Sequence, residues 1–102
     1  AMSETTTIPR PEAKARPEPP RLYKVILLND DVTPRDFVVT VLKAVFRMNG
    51  EEAYRVLITA HRQGACVVAV YTRDVAESKA AEATEAGRGA GFPLTFTTER
   101  ED

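Results

Sequence analysis

The sequence predicts a small α/β (α+β) domain: one three-stranded sheet packed with three helices, in the order β-α-α-β-α-β. Three observations predict it. Two apolar runs of strand length, Leu22–Leu28 and Ala65–Tyr71, are bounded by turn residues, and a weaker alternating run occupies Phe92–Thr98. Between these runs, apolar residues recur at helical spacing. Capping residues and glycines punctuate the helical stretches at the places where helices should begin and end.

Leu22–Leu28 (LYKVILL) reads as a strand whose final apolar run is buried on both faces. Asn29, Asp30 and Asp31 break it with turn-forming side chains. Thr33 followed by Pro34 predicts a helix start, the hydroxyl capping free N–H groups and the proline taking the first helical position. Asp36 suits the positive end of that helix. Phe37, Val38, Val41, Leu42 and Val45 then form one apolar stripe reaching about Arg47. Asn49, with Glu52 three residues on, is a capping-box pair that opens a second helix. Its stripe is Ala53, Val56, Leu57 and Ala60, and Gly64 stops it. The continuous β-type run Ala65–Tyr71 predicts a central strand. Thr72 with Asp74 opens a third, alanine-rich helix that ends near Gly87. Because it buries mostly alanine, this helix is expected to be the weakest-docked element and an interaction face. Phe92–Thr98 is expected to be a last, edge strand.

Composition narrows the function. The 102 residues carry 14 Lys and Arg against 15 Asp and Glu, a formal charge of −1. No basic excess exists to neutralise phosphates, so nucleic acid is not an expected partner. The longest unbroken apolar run, Ala65–Tyr71, is far short of the ~20 residues that span a bilayer. No basic-then-apolar signal pattern opens the chain, and a single cysteine, Cys66, fits a reducing compartment. The expectation is a cytoplasmic protein without a membrane partner. Residues 1–21 contain Pro9, Pro11, Pro17, Pro19 and Pro20 with few apolar side chains. They are expected to form a disordered Pro-rich N-terminal tail ahead of a binding domain over 22–102.

Two polar features remain as candidates for chemistry. One is Asn29-Asp30-Asp31, leaving a buried strand just before a helix start; the other is His61, the single histidine, in the last turn of the second helix. The structural reading is a turn with helix-capping charge, and a cation placed favourably at a helix C-terminus. The functional reading is that both line one cleft, offering acceptors and a titratable nitrogen to a cationic ligand. Catalysis is not expected. The Asp pair with one His lacks metal-ligand spacing, Cys66 sits inside an apolar strand, and neither a G-x-G-x-x-G nor a P-loop occurs. No cofactor and no metal are expected.

The run Leu22 to Pro34, with its pattern YKV-hydrophobic-NDD-x-TP, closely resembles the start of the ClpS adaptor family. Ala60-His61-Arg62-Gln63-Gly64 is similar to that family's helix-ending H-x-x-G. Tyr71 to Lys79 resembles its third-helix opening, and Phe92-Pro93-Leu94 its final strand. The resemblance spans residues 22–98. It implies a three-stranded antiparallel sheet with three helices and a non-enzymatic adaptor. Such an adaptor binds the N-terminal residue of N-degron peptides or proteins and delivers them to a ClpA-type AAA+ unfoldase through that enzyme's N-terminal domain. A monomer is expected. Carried over by position, Asn29, Asp30 or Asp31, and His61 match the residues that hold the α-amino group. Val38, Leu57 and Ala60 match the side-chain pocket, with Leu28 and Thr33 beside it. Asp74 and Lys79 match protease-docking positions, and the tail matches the segment the unfoldase engages.

Two departures from the family pattern bear on specificity. Arg35 stands where most relatives place methionine, and Leu57 and Ala60 replace what are commonly Met and Val. The expected ligand class is a bulky hydrophobic first residue: Phe, Leu, Tyr or Trp. The alternative is a small regulatory domain that binds a free amino acid at the same ammonium site, with Arg35 or Arg62 receiving its carboxylate.

Overall fold

The computed structural model describes residues 17–102. The expected tail falls outside the described residues over 1–16, and residues 17–21 are exposed and without regular structure. The elements are β1 (Leu22–Leu28), α1 (Arg35–Phe46), α2 (Gly50–Gln63), β2 (Ala65–Thr72), α3 (Arg73–Gly89) and β3 (Thr95–Arg100). Their order is the one the sequence predicts. The strands form a three-stranded antiparallel sheet in the order β2-β1-β3.

β1 is therefore the central strand, and β2 lies at an edge, against expectation. The register runs from Leu22↔Thr72 to Leu28↔Ala65 on one side and from Tyr23↔Arg100 to Leu28↔Thr95 on the other. An apolar run marks a central strand only if both faces are covered, and here one is not. Val67 is 48% exposed and Val70 38% exposed on β2. The same correction applies to β1. Val25 and Leu27 are buried in the core, while Leu22 and Leu28 keep about two fifths of their surface exposed. The helices cover a single face of the sheet.

At the start of α1 the capping differs from expectation. Pro34 is the N-cap, with φ −61° and ψ 141°, and no side chain caps the helix. The Thr33 hydroxyl instead donates to Asp30 Oδ2 at 3.0 Å. A carboxylate is the stronger acceptor and lies within one turn of chain, so it captures the hydroxyl. α1 ends at Arg47 in the left-handed region (φ 58°). α2 starts as predicted: Asn49 Oδ1 accepts from the Glu52 N–H at 2.8 Å, and Glu52 Oε1 accepts from the Asn49 N–H at 2.9 Å. Gly64, at φ 90°, closes it by donating its N–H to the Ala60 carbonyl at 2.8 Å.

α3 crosses from β2 to the opposite edge strand and buries Ala76, Ala80, Ala83 and Gly87. Its small residues are a means of close approach to the sheet, not a sign of weak docking. At Gly87 a Cβ would stand 2.7 Å from Leu94 Cβ. Phe92 and Pro93 belong to the connection into β3, not to the strand itself. Pro93 has no N–H for a ladder, and Phe92 packs edge-on against Phe37 of α1 at 5.0 Å between ring centroids. The core is Val25, Leu27, Val38, Val41, Leu42, Val45, Phe46, Leu57, Leu94 and Phe96 together with the buried alanines.

Candidate functional site

The end of β1 and the end of α2 are tied together by the backbone. The Asn29 N–H donates to the Gly64 carbonyl at 3.0 Å. This bond brings the Asn-Asp-Asp turn beside the last turn of α2, where His61 lies. Between them and the start of α1 opens a cavity of about 330 Å³.

The four polar residues singled out from the sequence, Asn29, Asp30, Asp31 and His61, all line it. So do Val38, Leu57 and Ala60, matched to the side-chain pocket, Leu28 and Thr33, expected beside it, and Arg35, the departure expected to bear on its specificity. Sequence reasoning did not single out Leu27, Val32, Pro34 or Leu94, which complete the wall. Val32 and Pro34 lie within the quoted motif. Leu27 and Leu94 are core residues whose place at the cavity depends on the pairing of β1 and on the approach to β3.

The acidic turn divides its work. Asp30 Oδ1 accepts from the Val32 N–H at 2.9 Å and the Thr33 N–H at 2.7 Å, while its Oδ2 takes the Thr33 hydroxyl. Asp30 is thus the post around which the loop into α1 is wound. Among the described residues, the side chains of Asn29, Asp31 and His61 make no hydrogen bond or ion pair. They leave an amide oxygen, a carboxylate and an imidazole available among the residues that line the cavity. Val38, Leu57, Ala60 and Leu94, all buried, add apolar wall to the same cavity. Chemically, the space suits a ligand with a positively charged donor group attached to a hydrophobic side chain.

Asp74 and Lys79 are apart from this cavity. Asp74 is exposed in the first turn of α3 and borders a shallow cleft with Arg21, Tyr23 and Arg73. Lys79 Nζ donates to the Val45 carbonyl in the last turn of α1 at 2.9 Å, fastening α3 to α1. Cys66 does not line the cavity either, and burial pushes its thiol pKa up, an effect opposed by a hydrogen bond with Thr59. Among the described residues no group of His, Cys, Asp and Glu side chains is placed to hold a metal ion, and no helix is long and apolar enough to cross a membrane.

Residues 18–97 match the family described as ATP-dependent Clp protease adaptor protein ClpS. The chain is 60% identical over 101 residues to the ATP-dependent Clp protease adapter protein ClpS 2 of Mesorhizobium japonicum, covering 99% of this chain and 100% of that one. It is 59% identical, with the same coverage, to ClpS 1 of Bradyrhizobium diazoefficiens. A solved structure of Agrobacterium tumefaciens ClpS2 bound to L-phenylalaninamide superposes with a TM-score of 0.80 at 64% identity, over 81% of this chain and 100% of that one. By family match, by identity over nearly its whole length and by fold, this chain belongs to the ClpS family of Clp protease adaptors.

Proposed function

We propose that the cavity receives the first residue of N-degron substrates, and that the chain delivers them to a ClpA-type unfoldase without itself catalysing a reaction. One observation carries this reading: free amide, carboxylate and imidazole groups open into the same 330 Å³ space as an apolar wall. An α-ammonium brings three donors and one charge, which Asn29, Asp31 and His61 accept from different directions. Asp30 holds the loop that presents Asp31. A Phe, Leu, Tyr or Trp side chain then fills the apolar side, its burial contributing about 1.5–3 kcal/mol.

The similar structure from Agrobacterium tumefaciens holds phenylalaninamide, in which the amine is free and the carboxyl is masked as an amide. The first residue of a peptide has that same form, which favours a peptide ligand over a free amino acid. Docking on the unfoldase would use the exposed start of α3 around Asp74, with Lys79 bracing that helix from beneath. The protein would act there as a monomer, its N-terminal tail offered to the unfoldase.

Calorimetric titration with a Phe-initiated decapeptide and with free phenylalanine separates the readings. Tight binding of the peptide alone is expected. Equal or tighter binding of free phenylalanine would replace the adaptor reading with an amino-acid-sensing one.

A further inference from the structure

Arg35 is the first residue of α1 and, among the described residues, the only lysine or arginine lining the cavity. Its side chain is exposed, and among the described residues it makes no ion pair and no hydrogen bond. Other arginines of this chain have found carboxylates on their own helices: Arg55 with Glu51, Arg73 with Glu77, and Arg88 with Glu85. Acidic residues also stand near Arg35 in the chain. Both oxygens of Asp30, however, already accept from Val32 and Thr33. Arg35 therefore keeps a charged, five-donor fork at the rim with no partner from the fold.

A first residue whose amine and side chain fill the cavity must lead its second residue out past that rim. A guanidinium offers paired N–H groups that match a carboxylate, and it repels an ammonium. We propose that Arg35 reads the second residue of the substrate, favouring Asp or Glu over a neutral residue of the same shape and disfavouring Lys or Arg. This rests on the reading of the cavity as the site of the first residue. Asp31 and Asp36 oppose an acidic second residue, so the contribution of Arg35 shows as a difference between proteins, not as an absolute affinity.

The test is a thermodynamic cycle. Decapeptides beginning Phe-Glu, Phe-Gln and Phe-Lys, otherwise identical, are titrated against the wild-type protein and Arg35→Gln by fluorescence anisotropy. The wild type is expected to show a Glu-to-Gln affinity ratio about three-fold higher than Arg35→Gln does, as suits an exposed pair. That difference should shrink in 1 M salt, where the screening length falls to about 3 Å. The Gln-to-Lys ratio should fall in Arg35→Gln. Glu-to-Gln and Gln-to-Lys ratios that are the same in both proteins would overturn the inference. Binding of the Phe-Gln peptide that is lost on N-acetylation keeps the cavity reading intact whatever those ratios show. Failure of wild-type protein to bind that peptide would overturn both.

Discussion

At the residue scale, Asp30 and Asp31 are adjacent carboxylates with different duties. Asp30 receives two backbone N–H groups and a hydroxyl, so removing it strips the loop of its internal support. Asp30→Ala should lower both stability, by about 1–3 kcal/mol, and peptide affinity. Asp31→Ala and His61→Ala should leave the melting temperature within a few degrees but weaken binding of a Phe-initiated peptide by roughly ten-fold or more. A melting temperature lowered by Asp31→Ala as much as by Asp30→Ala would contradict this division. The residues alone left open whether Asn29, Asp30, Asp31 and His61 share a cleft, the family resemblance assigned them to one site, and neither chose between the two carboxylates as the one to face a ligand. That choice depends on which side-chain oxygens the turn itself consumes, a matter of three-dimensional hydrogen bonding. Cys66 gives a separate test. Its thiol is pushed up by burial, so less of it is thiolate near neutral pH, and the thiolate is the reacting form. Iodoacetamide should alkylate it more slowly at pH 8 than a cysteine in a short peptide, and unfolding in denaturant should abolish the difference. Equal rates in the folded protein would contradict the burial.

At the element scale, helix boundaries were legible where side chain and backbone cooperate over three or four residues. The Asn49–Glu52 box and the Gly64 stop are both formed as the sequence predicts. Asn49→Ala should therefore cost about 1 kcal/mol, read as a lowered melting temperature. The start of α1 was not legible, because Thr33 had a competing acceptor in Asp30. The edge position of β2 was not legible either. Local apolar density reports burial of a face, whereas strand order follows from where α3 returns the chain. α3 itself shows how small residues bind an element tightly. Gly87→Ala would press a Cβ to 2.7 Å from Leu94 Cβ, next to the cavity wall. It should destabilise by about 1–3 kcal/mol despite the better helix propensity of alanine. An unchanged or raised melting temperature would show that β3 and its approach yield freely.

At the scale of the whole molecule, the candidate site is held by a small core on one face of a sheet. The core joins the site directly: Leu27, Val38, Leu57, Ala60 and Leu94 are at once core residues and cavity wall. Substitutions that enlarge the cavity are therefore expected to lower stability as they alter specificity. Delivery is proposed to depend on parts away from the cavity, namely the N-terminal segment and the start of α3. Deleting residues 2–20 should spare peptide affinity and slow degradation of an N-degron reporter by the unfoldase and its protease. Unchanged degradation would remove the segment from the delivery step.

We propose that a free α-amine opens the site and the side chain refines the choice. The direct measurement compares one Phe-initiated decapeptide with its N-acetylated form, by fluorescence anisotropy against the wild-type protein. Acetylation removes the charge and leaves the acceptors of Asn29, Asp31 and His61 unmatched, at a cost of about 2–5 kcal/mol, so an affinity loss of roughly thirty-fold or more is expected. Equal affinity for the two peptides would contradict amine recognition and leave the cavity as a pocket for apolar side chains alone.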